Sequence, residues 1–337
     1  MNELKIKAAA REKMKGYCRV CPRCDGKACA GEVPGMGGLM TGTSFINNVE
    51  SLAMYNLNMR TIHQAADPDL SVQAFGRMFK MPVFVAPLTG VSLNMGGALD
   101  EAEMVKNLVN GALAAGSFSF TGDGPAEEIY TAGLEALKNA AGMGIPVIKP
   151  RHTESIALRL KQAEEAGAFA VGIDIDGAGL AAMARSGNPV GPKTFYQLRE
   201  LVQMTELPFV LKGIMTAQEA EMAVEIGAAA IVVSNHGGRT LDYTPGVAEV
   251  LPEIVERVKG EIFVLADGGV RTGVDVLKML ALGADAVLIG RPALWGVFGG
   301  GVEGVRLTLE KMAAQLKHAM LMTGCANVKA IDYSIIY

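Results

Sequence analysis

No stretch of this chain stays uncharged and apolar for the ~20 residues a membrane-spanning helix needs, although half of its 337 residues are hydrophobic. A sizeable core can form, but it must be assembled from short runs. Residues Met1 to Lys15 alternate charge with alanine. They lack the apolar centre of a secretory signal, so a cytoplasmic protein with no membrane contact is expected. An excess of either charge is also missing, because 31 Lys and Arg face 35 Asp and Glu. With a net charge of -4 and both signs interspersed, no surface for nucleic acid is expected, and a small anionic molecule is the expected partner. Tryptophan occurs once whereas glycine supplies 41 residues, a balance that suits many tight strand-to-helix turns. Cysteine is scarce, yet four of the five (Cys18, Cys21, Cys24 and Cys29) fall within twelve residues. In a reducing compartment such a group reads as free thiols or metal ligands before structural disulfides. Cys325 stands alone and reads as a packed residue.

From residue 82 onward, short apolar runs alternate with longer amphipathic segments, each pair taking about 25 to 35 residues, as β-α units do. Eight runs qualify: Val83 to Ala86, Ser117 to Phe120, Pro146 to Lys149, Ala170 to Ile173, Phe209 to Lys212, Ala230 to Val233, Ile262 to Ala266 and Ala286 to Ile289. Eight repeats point to an α/β fold of the closed (β/α)8 type, a TIM barrel spanning 82–337. Residues 1–81 form an N-terminal extension that carries the cysteines and a Gly-rich stretch from Gly31 to Gly42. Helices are expected at Thr153 to Ala166, Thr216 to Ile226 and Thr272 to Leu282, each opening on threonine and closing on glycine, with a last one from Gly304 to Met322. Asp176 to Pro192 reads as a long polar loop over the site.

In such a barrel the chemistry sits at the C-terminal ends of the strands. Here those ends are polar: Pro87-Leu88-Thr89, Lys149, Asp174 with Asp176, Lys212, Ser234 with His236, Asp267 to Arg271, and Gly290 with Arg291. Gly268, Gly269 and Arg271 on the seventh loop, with Gly290 and Arg291 on the eighth, fit a phosphate, since glycines admit an anion to backbone N–H groups and arginines close on it. An ordinary turn with a surface arginine is the plainer reading of either loop alone. Lys212 ends an apolar strand, where a buried ammonium needs an anionic partner, unless it snorkels to solvent. His236 and Arg239 flank two glycines, which lets a base and a carboxylate-binding fork share one small volume; a satisfied histidine in a Gly-rich turn is the plainer alternative.

Ser234-Asn235-His236-Gly237-Gly238-Arg239-Thr240-Leu241-Asp242, with Leu211-Lys212-Gly213, Asp267-Gly268-Gly269-Val270-Arg271 and Ile289-Gly290-Arg291, resembles the FMN-dependent α-hydroxy-acid oxidases and dehydrogenases. The resemblance is dense from about 205 to 295 and thinner from 82 to 176. It implies FMN as cofactor, oxidation of a small 2-hydroxy acid to a 2-oxo acid, and a homo-oligomer, tetrameric or larger. It implies His236 as the base, Asp176 orienting its ring, Arg239 on the substrate carboxylate, and Lys212 beside the reduced flavin. Asp267, Gly268, Gly269, Arg271, Gly290 and Arg291 would hold the ribityl phosphate. Ser234, Gly237, Asp174, Pro87, Leu88 and Thr89 would complete the flavin contacts.

The chain also departs from that pattern. A tyrosine is expected where it has Ile148-Lys149-Pro150, a threonine where it has Asp174, and a second arginine in the loop after the fourth strand, for which Arg185 is a candidate. Tyr17 and Tyr55 are the N-terminal tyrosines available for a further expected one. Lys149, Arg151 and His152 gather where the tyrosine is missing and suit a different anion, with Lys149 as a substrate contact; a solvated basic turn is the alternative. On that cluster rests a second function, an isomerase of the type 2 isopentenyl diphosphate kind, and a third is a flavin-binding sensor without turnover. The cysteine knuckle Cys21-Pro-Arg-Cys24-Asp-Gly resembles half of a rubredoxin or zinc-ribbon site. Zinc or an iron–sulfur cluster on Cys18, Cys21, Cys24 and Cys29, free thiols, and a redox disulfide all stay open.

Overall fold

The computed structural model describes residues 2–258 and 260–337. A short antiparallel hairpin, β1 (Val72–Ala74) and β2 (Arg77–Phe79), precedes eight parallel strands. These are β3 (Val83–Val85), β4 (Ser119–Thr121), β5 (Gly144–Ile148), β6 (Val171–Asp174), β7 (Phe209–Ile214), β8 (Ala230–Val233), β9 (Phe263–Ala266) and β10 (Ala286–Ile289). They pair in chain order, and β10 closes on β3 through Val287–Val83 and Ile289–Val85, which makes the expected barrel. The eight apolar runs all become strands, with ends shifted by no more than two residues. They are buried at all but Gly213 and Phe263 because helices cover the barrel outside and side chains fill it inside, so largely apolar runs replace alternation.

The threonine starts work as read at two helices. Thr216 accepts the N–H of Glu219 ahead of Ala217–Glu225, and Thr272 accepts that of Asp275 ahead of Gly273–Ala281, each cap contributing about 1 kcal/mol. Thr153 instead lies inside its helix, Thr153–Glu165, behind His152, whose side chain makes no cap bond. The last helix begins within a few residues of Gly304, as read, because a break at Gly300 and Gly301 separates it from a preceding helical stretch. Arg291–Thr323 is helical except at Gly300 and Gly301, where φ of -160° and 57° kink it. The loop from Asp176 is also less open than expected, since it holds a 3-10 turn at Ile175–Gly179 and a helix at Ala181–Arg185.

The extension packs on both ends of the barrel. Phe75 and Phe79 of the hairpin meet Phe84, Phe118, Phe169 and Phe263 at the strand starts, plugging the N-terminal mouth with rings 4.7–6.3 Å apart. Each buried ring contributes roughly 1.5–3 kcal/mol. At the opposite rim lies the helix Thr43–Met54. Its Asn48 donates to Asn235 Oδ1 at 2.7 Å and accepts the N–H of Val247 at 3.0 Å. Asp242 fixes the same helix start by accepting from Thr41 Oγ1 (2.6 Å) and the N–H of Ser44 (3.1 Å). Asn235 and Asp242 of the sequence motif therefore serve the fold. With one mouth plugged, only the C-terminal ends of the strands can open on a cavity.

Candidate active site

A cavity of about 840 Å³ lies at those ends. Pro87, Leu88 and Thr89 line one wall, Lys149, Asp174, Lys212 and His236 the floor, and Asp267 to Arg271 with Gly290 and Arg291 the far end. Asp176 and Ser234 stand just behind that lining, each bonded to His236.

The floor is built on a bulge. Pairing between β7 and β8 slips between Lys212 and Ile214, and Gly213 sits there at φ 104° with Asp176 against it, so a Cβ would come within 2.8 Å of the Asp176 side chain. Only glycine allows that approach. Lys212 Nζ then lies 3.1 Å from Asp174 Oδ1, 3.1 Å from Ser234 Oγ and 3.9 Å from Asp267 Oδ2. Lys149 forms an ion pair with the other oxygen of Asp174. His236, in the left-handed region at φ 58°, donates its N–H to Ser234 Oγ at 3.1 Å and sets Nδ1 3.1 Å from Asp176 Oδ1. Its Nδ1 is also 3.5 Å from Asp174 Oδ2.

Burial opposes the charges of Asp174, Asp176 and Lys212, and their neighbours decide the outcome. Burial raises Asp174, but Lys149, Lys212 and His236 together hold it well below the ordinary carboxylate range. Burial raises Asp176 too, the Asp174 charge adds to it, and His236 and Lys212 only partly offset them, so Asp176 ends above its ordinary value. Lys212 is lowered by burial yet carried above the ordinary lysine value by Asp174, Asp176 and Asp267. Asp174, Asp176 and His236 place three ligand-type atoms within 4.8 Å of one another, but two ammonium groups already occupy Asp174, which makes this a hydrogen-bonded cluster.

At the far end, Arg271 donates from Nη1 to the Val270 carbonyl, while its Nε and Nη2 are buried without a partner, as is Asp267 Oδ1. Gly269 sits at φ 80° against the Asn48 carbonyl, where a Cβ would clash at 2.2 Å, so backbone alone can pass there. Arg291 stacks its guanidinium 3.6 Å from the Phe45 ring centre and donates twice to the Met36 carbonyl. Burial, with Arg271 beside it, pushes Arg291 down to about 10. Two arginines, one with free buried donors, over a glycine backbone form a socket for a phosphate.

Arg239 lies under the N-terminal segment. It donates to the carbonyls of Gly35 and Gly37 and, at 2.9 Å, to Asn94 Oδ1, and burial pushes it down to about 10. The basic cluster after β5 comes apart. Lys149 faces the cavity, Arg151 is bound through Nε and Nη2 to both oxygens of Asp123 at 2.8 Å, and His152 is exposed. A diphosphate site at Lys149 to His152 is therefore not formed, because a buried arginine took the nearest carboxylate. Arg185 lines the cavity. Cys18, Cys21, Cys24 and Cys29 are partly buried and form no disulfide, and Cys325 is buried, as its isolation suggested.

Asn94, Asp123, Phe45 and the carbonyls of Gly35 to Gly37 escaped the reading of the sequence. Only the glycine-rich stretch Gly31 to Gly42 hinted at them, since repeated glycines mark close backbone approach.

Residues 36–191 and 179–337 match the model of a family described as FMN-dependent dehydrogenase. The 2-hydroxyacid oxidase 1 of Mus musculus is 32% identical over 331 residues, covering 86% of this chain and 87% of that one. The L-lactate oxidase of Nostoc sp. is 49% identical over 144 residues, 43% of this chain and 40% of that protein. Among solved structures, mandelate oxidase with (S)-2-phenylpropionate shares 31% identity at a TM-score of 0.76, covering 97% and 95% of the two chains.

Proposed function

The chain belongs to the FMN-dependent dehydrogenase family, and on that premise we propose that it oxidises a small 2-hydroxy acid to the corresponding 2-oxo acid. One observation carries the reading: the His236–Asp176 pair, Lys212 and Arg239 converge on a single cavity whose far end is a phosphate socket. The names of the relatives, a 2-hydroxyacid oxidase, an L-lactate oxidase and a mandelate oxidase, support the substrate class.

The residues present fit FMN. The unpaired Nε and Nη2 of Arg271 and Oδ1 of Asp267 await one phosphate and one hydroxyl, and a bound ribityl phosphate offers both. FMN, when bound, supplies the acceptor for the two electrons that leave the substrate. Lys212 keeps an ammonium in the floor at all ordinary pH, because its pKa is raised, and so places positive charge where the cofactor gains negative charge.

Substrate handling follows from the remaining groups. Arg239 has donors beyond those given to Gly35, Gly37 and Asn94, and a guanidinium fork takes a carboxylate in two bonds. With Asp176 accepting at Nδ1, His236 carries its proton there and leaves Nε2 as the free base for the proton lost from the substrate. The charge then forming on the ring lies 3.1 Å from Asp176 and 3.5 Å from Asp174, which stabilises it. Lys149 sits beside this pair and sets the polarity of the pocket wall where relatives of the resembled pattern have an aromatic hydroxyl. The four N-terminal cysteines belong to the same reading as ligands of a metal, zinc or iron in a cluster.

The test is an anaerobic titration of the purified yellow protein with a panel of 2-hydroxy acids. Bleaching of the oxidised flavin band by one of them is expected. A band unchanged across the panel, with flavin bound, would remove the proposed reaction.

A further inference from the structure

The cysteines lie in a folded unit that reaches directly to the two arginines of the site. Its ends are joined where the N–H of Met36 donates to the Tyr17 carbonyl and that of Gly31 to the Gly38 carbonyl, both at 3.1 Å. Arg19 pairs with both oxygens of Glu32. Arg11 reaches in from the helix Glu3–Lys13 to the carbonyls of Arg19 (3.0 Å) and Val20 (2.8 Å). The other side of the unit holds Arg239 through Gly35 and Gly37, and Arg291 through Met36. Leu39 completes the attachment by donating its N–H to the Gly238 carbonyl at 2.7 Å.

All four thiols are partly buried and none is in a disulfide. The four sulfurs lie in this one folded unit, whose Met36 carbonyl holds Arg291. Val20, buried and β-branched, sits at φ 45° and donates its N–H to Cys18 Sγ at 3.4 Å. A β-branched residue in the left-handed region is strained, and it persists only where the surroundings impose it. What that strain achieves here is an amide aimed at a sulfur.

Resting on the metal reading given above, we propose that Cys18, Cys21, Cys24 and Cys29 bind a [4Fe–4S] cluster, and that the cluster fixes the segment that holds Arg239. A single zinc would need its four sulfurs at ~2.3 Å, and so within roughly 3.8 Å of one another. Among the described residues, no three of these sulfurs come within 4.8 Å. In a four-iron cluster each thiolate binds a different iron, so the sulfurs surround a larger core and stand further apart. The run Cys18-x2-Cys21-x2-Cys24 has the spacing of the three ferredoxin cysteines that share one cluster, and Cys29 follows in the same unit as the fourth thiol. Binding replaces four S–H bonds by four Fe–S bonds, releases four protons and transfers no electron. The resulting anion adds negative charge to the unit whose Gly35 and Met36 carbonyls hold Arg239 and Arg291.

The test is the full chain purified without oxygen, with iron, acid-labile sulfide and zinc counted per chain and a low-temperature EPR spectrum taken after reduction by dithionite. About four iron and four sulfide, with a cluster EPR signal, are expected. Both are expected to vanish in Cys21→Ser with FMN still bound, and to persist in Cys325→Ser. In Cys21→Ser the KM for the hydroxy acid should rise about tenfold while kcat falls less. One zinc without sulfide would overturn the cluster and leave the metal reading standing; two iron or a cluster surviving Cys21→Ser would overturn the four-iron assignment. No metal at all, with the chain folded and FMN bound, would overturn both.

Discussion

Where β9 and β10 end, Arg271 and Asp267 keep buried polar atoms without a partner, whereas where β5 and β6 end, Lys149 is joined to Asp174 and Arg151 to Asp123. Apart from Asp176 Oδ2, which is also without a partner, the two ends of one cavity thus hold comparable charges in opposite states. A buried donor left unsatisfied costs about 1–3 kcal/mol, so a fold that keeps several in one place is completed there by a ligand. A buried ion pair already closed on itself belongs to the fold, and breaking it costs more than it contributed. The comparison separates the charges that await a cofactor from those that shape the pocket, and each can be broken in turn.

The largest expected effect lies between the two ends, at His236. His236→Ala should slow reduction of the flavin by substrate on the order of 10²–10⁴-fold, measured by stopped flow without oxygen, with flavin content unchanged because none of the orphaned phosphate-end atoms belongs to His236. Reduction persisting at the wild-type rate would show that another group takes the proton. The acid side of the same rate profile sharpens the assignment. Asp176 titrates above its ordinary value, so the stabilising carboxylate is lost at a higher pH than an ordinary aspartate would give, and the rate should fall earlier as pH drops.

Next comes the closed end. Asp174→Asn leaves Lys149 and Lys212 buried without their shared anion, which should cost about 3–5 kcal/mol of stability, read by denaturant unfolding near neutral pH. The sign with pH follows from the depressed Asp174 value. Its contribution is fully present above the ordinary carboxylate pKa and is lost as pH falls through the folded one. The gap between wild type and variant should therefore narrow in acid; a gap constant down to acid would mean the ion pairs do not set it.

A smaller loss is expected at the open end. Arg271→Gln removes a charged donor with no protein partner at Nε or Nη2, so stability should change little while FMN affinity falls about 10- to 100-fold, measured by fluorescence during flavin release. A stability loss equal to that of Asp174→Asn would erase the distinction between the two ends.

The barrel was legible because most strands are short, largely apolar runs that recur at regular spacing, and that pattern has few other solutions. The open end was legible for a related reason: Gly268, Gly269 and Arg271 follow one strand and Gly290-Arg291 the next, so local order places them together. The closed end was not. Nothing local says that Arg151 will turn to Asp123, 28 residues earlier, or that Gly35 and Gly37 will sit on Arg239, more than 200 residues later. Asn94 and Phe45 escaped notice for the same reason, as an asparagine and a phenylalanine carry no local mark of the arginines they meet across the fold.

The smallest effect tests the contrast most sharply. In sequence, Lys149, Arg151 and His152 form one basic cluster that would read an anion together, but in the fold they point to three different places. His152 is exposed and makes no cap bond, so His152→Ala should shift stability by no more than about 0.5 kcal/mol and leave the KM for the hydroxy acid unchanged. Lys149→Met alters the cavity wall itself and takes one cation from Asp174, which keeps Lys212, so its KM should change while His152→Ala does not. If both variants raised KM alike, the three side chains would act as one anion site, and the assignment of the β5 end to the fold would fail.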